Sequence, residues 1–431
     1  MIDVLARWNR WGEARLDPGV GRDLVPTLDP FLDTPEVVGL VGPRRAGKST
    51  VLYQLMSRLE ARGVPPAAML HLNLEEPALA PELGAEMLER AYRTWRQQVF
   101  PSGRAFVFLD EVQAVPGWER WVRARSGTED LKCFVTGSSS ALLSRELGTL
   151  LTGRHLTFRV HPLGLREFLR FKNLPQPELP GASVASAALG HALHEYAQWG
   201  GFPEVVLAGD VRRKELLLKQ YFDDVLYRDI ALRHRVRDVP ALRALAVHLL
   251  THTASLVSYQ RVAQVLQMSP EAVRSYALHL REAFLIDLLP VFSNKAAVRA
   301  RNPQKVHAVD TGLRNAVCLS WSQDLGHVLE SMVWAELDRR PHDGLFWWRD
   351  ADRGEVDFVV RSGNEARLGV QVCAAGGGKP LPARELAALD AFAAAHPKAR
   401  RLLVLDAADP AAETAAGVEV QPLWRWLLAQ A

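Results

Sequence analysis

Short apolar runs alternate with longer stretches of helical period over the first third of the chain. Val37-Val38-Gly39-Leu40-Val41, Met69-Leu70-His71-Leu72, Phe106-Val107-Phe108-Leu109 and Cys133-Phe134-Val135 are bounded by turn residues and carry no polar alternation. Parallel strands covered on both faces look like this. Between the first two runs, Val51, Leu52, Leu55 and Leu59 keep a helical spacing. The pattern therefore predicts repeated βα units and a doubly wound α/β domain. A stretch rich in Pro, Ala and Ser, residues 173–190, then gives way to mostly helical sequence. Residues 258–292 read as helix, turn, helix and an apolar strand. After Asp324 the order becomes helix, three strands, helix, strand, with a glycine break at Gly376-Gly377-Gly378. There is no internal repeat, and three domains are the economical count.

Composition narrows the classes. With 431 residues, 48% hydrophobic and 23% charged, the chain is an ordinary globular protein of more than one core. A net charge of +3 is too slight to imply nucleic acid by itself, although most of the basic residues are Arg, the better residue for phosphate forks. Cys133, Cys318 and Cys373 form no paired spacing, which argues against disulfides and zinc and fits a reducing compartment. The N-terminus carries charges where a signal peptide needs an apolar core, and no run is long enough to span a membrane. A soluble, cytoplasmic protein is expected.

The chemistry is concentrated in two places. Gly42-Pro43-Arg44-Arg45-Ala46-Gly47-Lys48-Ser49 fits G-x-x-x-x-G-K-[ST] and is followed by Thr50, between a strand and a helix. Glycines there let backbone N–H groups wrap phosphates at a helix N-terminus. Lys48 is expected to reach the β- and γ-phosphates of ATP, and the Ser49 hydroxyl to ligate Mg²⁺. The run Phe106–Leu109 ends in Asp110 and Glu111. Adjacent acids at a buried strand tip repel each other unless a cation is near. Asp110 is expected to hold the Mg²⁺ shell and Glu111 to polarise the attacking water. The next strand ends in Thr136-Gly137-Ser138, which resembles the strand end of AAA-type ATPases where a polar residue senses the γ-phosphate. That resemblance implies the role for Thr136 or Ser138, with a Ser-rich turn or helix cap as the alternative.

Together these motifs resemble the AAA/STAND-like prokaryotic P-loop ATPases that carry a C-terminal domain of unknown function. The resemblance covers nearly the whole chain. It extends through Leu151-Thr152-Gly153-Arg154, Gly200-Gly201-Phe202-Pro203-Glu204, Tyr227-Arg228-Asp229-Ile230 and Val306-His307-Ala308-Val309-Asp310-Thr311-Gly312-Leu313. It implies an ATPase core over 1–170, a helical lid over 171–250, a winged helix over 251–312 and a degenerate PD-(D/E)XK-like α/β domain over 313–431. It also implies that Gly201 and Pro203 form a lid motif on the adenine, with a plain turn as the alternative. Arg154 and Arg145, and more weakly Arg228, are candidate arginine fingers offered to a neighbouring subunit. A homo-oligomer is implied, commonly a hexameric ring.

In the helix-turn-helix, Ser258 to Leu266 forms one helix, Gln267-Met268 the turn, and Ser269-Pro270 the start of the second. Arg274, His279 and Arg281, with Lys295, Arg299, Arg301 and Lys305 on a following hairpin, are expected where helix and wing would meet DNA. The alternative is a winged helix that serves only as a lid. In the last domain, Glu330 and Asp357 sit where the resembled nucleases carry their first carboxylates, whereas Gln371 and Cys373 replace the glutamate and lysine. Gln371 brings no charge and Cys373 cannot replace the lysine, so nuclease activity is not expected. The leading expectation is an ATP-driven, DNA-binding homo-oligomer that translocates on or remodels DNA, including branched junctions in recombination or repair. The alternative is an ATP-regulated switch acting on a protein partner.

Overall fold

The structure is a computed structural model that describes residues 1–12, 16–80, 83–139, 154–177, 187–318, 325–350, 352–376, 383–407 and 417–429. The chain divides into two compact units, Met1–His161 with Glu282–Phe284, and Pro162–Arg281 with Leu285–Ala431.

The first unit is built on five parallel strands: β1 (Val37–Val41), β2 (Met69–Asn73), β3 (Ala105–Asp110), β4 (Leu131–Gly137) and β5 (His155–Arg159), in the order β2-β3-β4-β1-β5. The four apolar runs of the sequence are β1 to β4, all buried. Helix α1 (Lys48–Ala61) follows β1, α2 (Ala85–Gln98) follows β2 and α3 (Trp118–Thr128) follows β3. Val51, Leu52, Leu55 and Leu59 of α1 pack with Val38, Leu40, Phe106, Phe108 and Phe134 in one core layer. Leu88, Tyr92, Trp95 and Trp118 cover the other face. Because β4 lies between β1 and β3, its C-terminal end separates the loop after β1 from the acids after β3.

Sheet edge β2 is closed by the N-terminal segment. The Asn9 side chain accepts from the His71 N–H at 2.6 Å and donates to the His71 carbonyl at 2.8 Å, as a neighbouring strand residue would. The Trp11 indole donates to the Met69 carbonyl at 3.1 Å.

In the second unit, α4 (Ala187–Trp199), α5 (Val211–Asp224) and α6 (Val239–Thr251) precede a helix-turn-helix of α7 (Tyr259–Leu266) and α8 (Pro270–Glu282). The predicted cap is present, Ser269 accepting from the Ala272 N–H, and Gln267 makes the turn in the left-handed region. Ser258, read as the first residue of the helix, is instead its cap and accepts from the Arg261 N–H. Three antiparallel strands, β6 (Ser255–Val257), β7 (Ile286–Leu289) and β8 (Gln304–Ala308), stand in the order β6-β8-β7. The expected simple hairpin is instead interrupted by a short helix, Ala296–Arg301, between β7 and β8.

Helices α9 (Thr311–Val317) and α10 (Leu325–Arg339) lead into β9 (Gly344–Asp350), β10 (Gly354–Ser362), β11 (Glu365–Gly376), α11 (Ala383–Ala395), β12 (Arg400–Ala407) and β13 (Glu419–Pro422). This second sheet has the order β13-β12-β11-β10-β9, antiparallel from β9 to β11 and parallel from β11 to β13. Gly377 and Gly378 of the glycine break lie outside the described residues. Among the described residues no helix is long and apolar enough to cross a membrane.

Candidate nucleotide site

The loop after β1 is shaped by crowding. A Cβ on Gly42 would stand 2.1 Å from the Val160 carbonyl oxygen, and Gly47 caps α1 in the left-handed region at φ 93°. The first N–H groups of a helix have no intrahelical acceptor, so the start of α1 presents donors and a positive dipole end to the loop. Ala46 and Lys48 are buried, Ser49 and Thr50 half-buried, and Arg45 exposed. The Lys48 ammonium donates to the carbonyls of Gly42 (3.4 Å) and Pro43 (3.3 Å), and lies 3.3 Å from Glu111 Oε1. Arg44 pairs with Glu75 at 3.2 Å.

Opposite the loop, Thr136 ties the two acids together. Its hydroxyl donates to Asp110 Oδ1 at 2.5 Å and accepts the Glu111 N–H at 2.8 Å. Glu111 sits in the left-handed region, φ 61° and ψ 54°, where a residue with a Cβ is strained. Gln113 Nε2 donates to Glu111 Oε2 and, at 3.2 Å, to the Ser138 hydroxyl. Burial opposes ionisation of Glu111, but the Lys48 ammonium, helped by Gln113 and Arg44, overrides this and holds its carboxyl below the usual range. Glu111 is therefore a carboxylate. Asp110 Oδ2 faces the buried His71, whose Nε2 is 3.9 Å away.

These residues fit a nucleoside triphosphate. A lysine, helix-terminal N–H groups and a glycine cradle with no room for side chains suit phosphates, and the hydroxyl and carboxylate oxygens of Ser49 and Asp110 are the hard donors that Mg²⁺ takes.

Sequence reasoning missed several supports. Arg22, which is buried, donates to the carbonyls of Ala46 and His161, both at 2.7 Å, and its own N–H is held by Gln54. It braces the phosphate loop from behind. No local motif marks Arg22, because its partners lie 24 and 139 residues away. Gln113 stands two residues after Glu111, and that spacing is the available signal.

Other predicted residues are placed as follows. Arg154 is exposed at the head of β5, and Arg228 is exposed on a π-helical turn, Val225–Ala231. Arg145 lies outside the described residues, as do Leu151, Thr152 and Gly153. Gly201 has both backbone groups engaged: its N–H is held by Asp310 Oδ2 at 2.7 Å and its carbonyl accepts from the Leu163 N–H at 2.6 Å. Pro203 begins the helix Pro203–Leu207. Arg274, Lys295 and Arg301 are exposed, whereas Arg281 is paired with Asp287 at 2.8 Å and Arg299 donates to the Ser293 carbonyl. His279 stacks on His234 with ring centroids 3.7 Å apart. Lys305 corrects its expected place on a DNA-facing wing. It is buried, and its ammonium is shared by Glu330, Glu355 and Asp357, because three acids from elsewhere in the chain compensate its charge.

Residues 34–169 match the profile of a family described as an AAA domain. The strand order and the phosphate loop agree with that match, so the chain carries an AAA-type P-loop ATPase domain and is an enzyme that hydrolyses ATP. Residues 190–325 match a domain of unknown function, DUF8612. Across most of its length the chain is 32% identical to the uncharacterized protein MJ1544 of Methanocaldococcus jannaschii, over 78% of this chain and 74% of that one. It is 30% identical to an uncharacterized protein of Haemophilus influenzae, over 79% and 83%. The chain belongs to the family of these two proteins. Solved structures with distant similarity include AMPPCP-bound DnaA from Aquifex aeolicus (12% identity, TM-score 0.29, 60% of this chain and 86% of that one). Another is the STAND protein PH0952 from Pyrococcus horikoshii (11% identity, TM-score 0.27, 75% and 46%).

Proposed function

We propose that this protein is an ATP-regulated switch of the STAND type, with Mg²⁺-dependent hydrolysis resetting it and a protein partner reading its state. The pairing of Lys48 with Glu111 carries this reading. A carboxylate held by an ammonium is a poor base, because the pair stabilises its ionised form. The phosphates of ATP compete with Glu111 for Lys48, so binding and activation of the base are one event. Bound Mg²⁺ would supply charge neutralisation between phosphates, held by Ser49 and Asp110. Thr136 keeps Asp110 and the Glu111 backbone fixed while the Glu111 side chain changes partner, and Gln113 and Ser138 are placed to receive or release it. Homo-oligomerisation, in which the exposed Arg154 reaches a neighbour's γ-phosphate, belongs to the same proposal, and a hexameric ring is its expected form.

Action on DNA is the second reading. It is supported by the exposed Arg274, Lys295 and Arg301 on the helix-turn-helix and the short helix that follows, a module we read as a winged helix. Three antiparallel strands continued by two parallel ones, with Glu330, Asp357 and Gln371 around one cavity, support a PD-(D/E)XK-like last domain.

ATP turnover and the protease-cleavage pattern, measured with and without duplex and four-way-junction DNA, test the two readings. The switch reading expects turnover on the order of one per minute or slower, indifferent to DNA. It also expects an ATP-dependent cleavage pattern that Glu111→Gln retains while losing about 10²-fold or more of turnover. Turnover stimulated by DNA would overturn it in favour of the second.

A further inference from the structure

The last sheet holds a cavity of about 280 Å³ lined by Glu330, Glu355, Asp357, Gln371, Cys373 and Glu385. Lys305 reaches three of these acids from β8, a strand of the three-stranded sheet. The ammonium nitrogen lies 3.0 Å from Glu330 Oε1 on α10, and 3.0 Å from Glu355 Oε1 and 2.9 Å from Asp357 Oδ1 on β10. The ammonium donates hydrogen bonds to Glu330 and Asp357, and the Glu355 carboxylate stands against it at ion-pair distance. Asp357 is committed on its other side as well, since Oδ2 accepts from the Val372 N–H at 3.0 Å. Gln371 Oε1 accepts from the Asp357 N–H, and its Nε2 donates to Glu385 at 2.6 Å. A lysine that served a phosphate in the cavity would face away from carboxylates, and this one has three within 3.0 Å.

We infer that Lys305 is the resident cation of this acidic cluster, filling with its own side chain the position of charge that a divalent metal would otherwise take. The cluster is a socket for a lysine, and it locks β8 of the three-stranded sheet onto α10 and β10. Burial disfavours the charged form of Lys305, but Asp357, Glu330 and Glu355 outweigh it and hold its affinity for the proton well above the ordinary value. Removing the amine leaves buried carboxylates uncompensated, and such a set takes a hard divalent cation in exchange.

Mn²⁺ binding by the full chain tests this, followed by electron paramagnetic resonance and thermal melting without nucleotide. All variants carry Asp110→Asn to silence the ATPase metal site. The expected result is no Mn²⁺ bound at millimolar concentration by the Lys305-containing chain. Lys305→Ala should melt lower, gain one Mn²⁺ per chain and recover much of the lost melting temperature when Mn²⁺ is added. Asp357→Asn added to Lys305→Ala should abolish the gain. A Lys305-containing chain that binds Mn²⁺ and loses it on Asp357→Asn overturns the inference, and that arm holds even where Lys305→Ala fails to fold. So does a folded Lys305→Ala chain that melts unchanged and takes up no Mn²⁺.

Discussion

Glu111 is held in a left-handed backbone conformation that costs on the order of 1 kcal/mol for a residue with a Cβ. The Thr136 hydroxyl on its N–H and the Lys48 ammonium on its carboxylate offset that cost, and in the proposed switch the first contact stays while ATP would take over the second. Asp310 offers a different test at the same scale. It is buried, and although the N–H groups of Gly201 and Leu313 favour its charged form, burial dominates and pushes its carboxyl up to about 6. The folded protein then keeps a proton on Asp310 that the unfolded chain releases above its ordinary value of 3.8. Stability from this group is full below that value and falls as pH rises through about 6. Urea unfolding of wild type and Asp310→Asn across that window is expected to show a decline of up to about 3 kcal/mol that the asparagine variant lacks.

Among elements, the Trp199-Gly200-Gly201 turn crosses the start of α9 with backbone in close contact. A Cβ on Gly312 would lie 2.0 Å from the Trp199 carbonyl oxygen, and one on Gly200, itself at φ +70°, would meet the Asp310 carboxylate at 2.2 Å. Gly312→Ala is expected to lower unfolding free energy by roughly 3 kcal/mol or more, because backbone must move to admit the methyl. Denaturant melts of the full chain check this, and Gly209→Ala, which meets nothing within 4 Å, is the control.

Two motifs that stand about a hundred positions apart in the sequence thus prove to be one joint, and the pattern of residues alone did not reveal it. The phosphate loop and the Asp110-Glu111 pair were legible because strand, loop and helix follow each other directly and the chemistry needs those residues in that order. The helix-turn-helix was legible for the same reason, its caps being local. The expected place of Lys305 differs from the observed one because a charged residue on a hairpin reads as solvent-facing. Only the fold brings Glu330, Glu355 and Asp357 to meet it. Arg22 escaped notice in the same way, as its acceptors are backbone carbonyls, which carry no signature in sequence.

For the whole molecule, the open question is whether a catalytic centre is completed within one chain or between two. Arg154 is exposed at the head of β5. If it acts across subunits, mixing an excess of Arg154→Ala with Lys48→Ala should restore turnover absent from either alone, since each supplies the part the other lacks. A loss of about 10³-fold in Arg154→Ala by itself is expected. Steady-state hydrolysis of the mixed and separate variants measures both. Turnover that stays at the sum of the two preparations would place the missing arginine within the same chain.

The first residues of the chain bear on how this ATPase is handled in the laboratory. A fragment cut to residues 34–169, the span of the AAA match, would retain Lys48, Ser49, Asp110, Glu111 and Thr136. It would nevertheless lack Arg22, which steadies the phosphate loop, and Asn9, which dresses the open side of β2. Such a fragment would present bare strand hydrogen-bonding groups to its neighbours and a slack cradle to ATP. Precipitation and weak nucleotide affinity in it would then report the loss of its first thirty-odd residues, and would say nothing against the catalytic machinery itself.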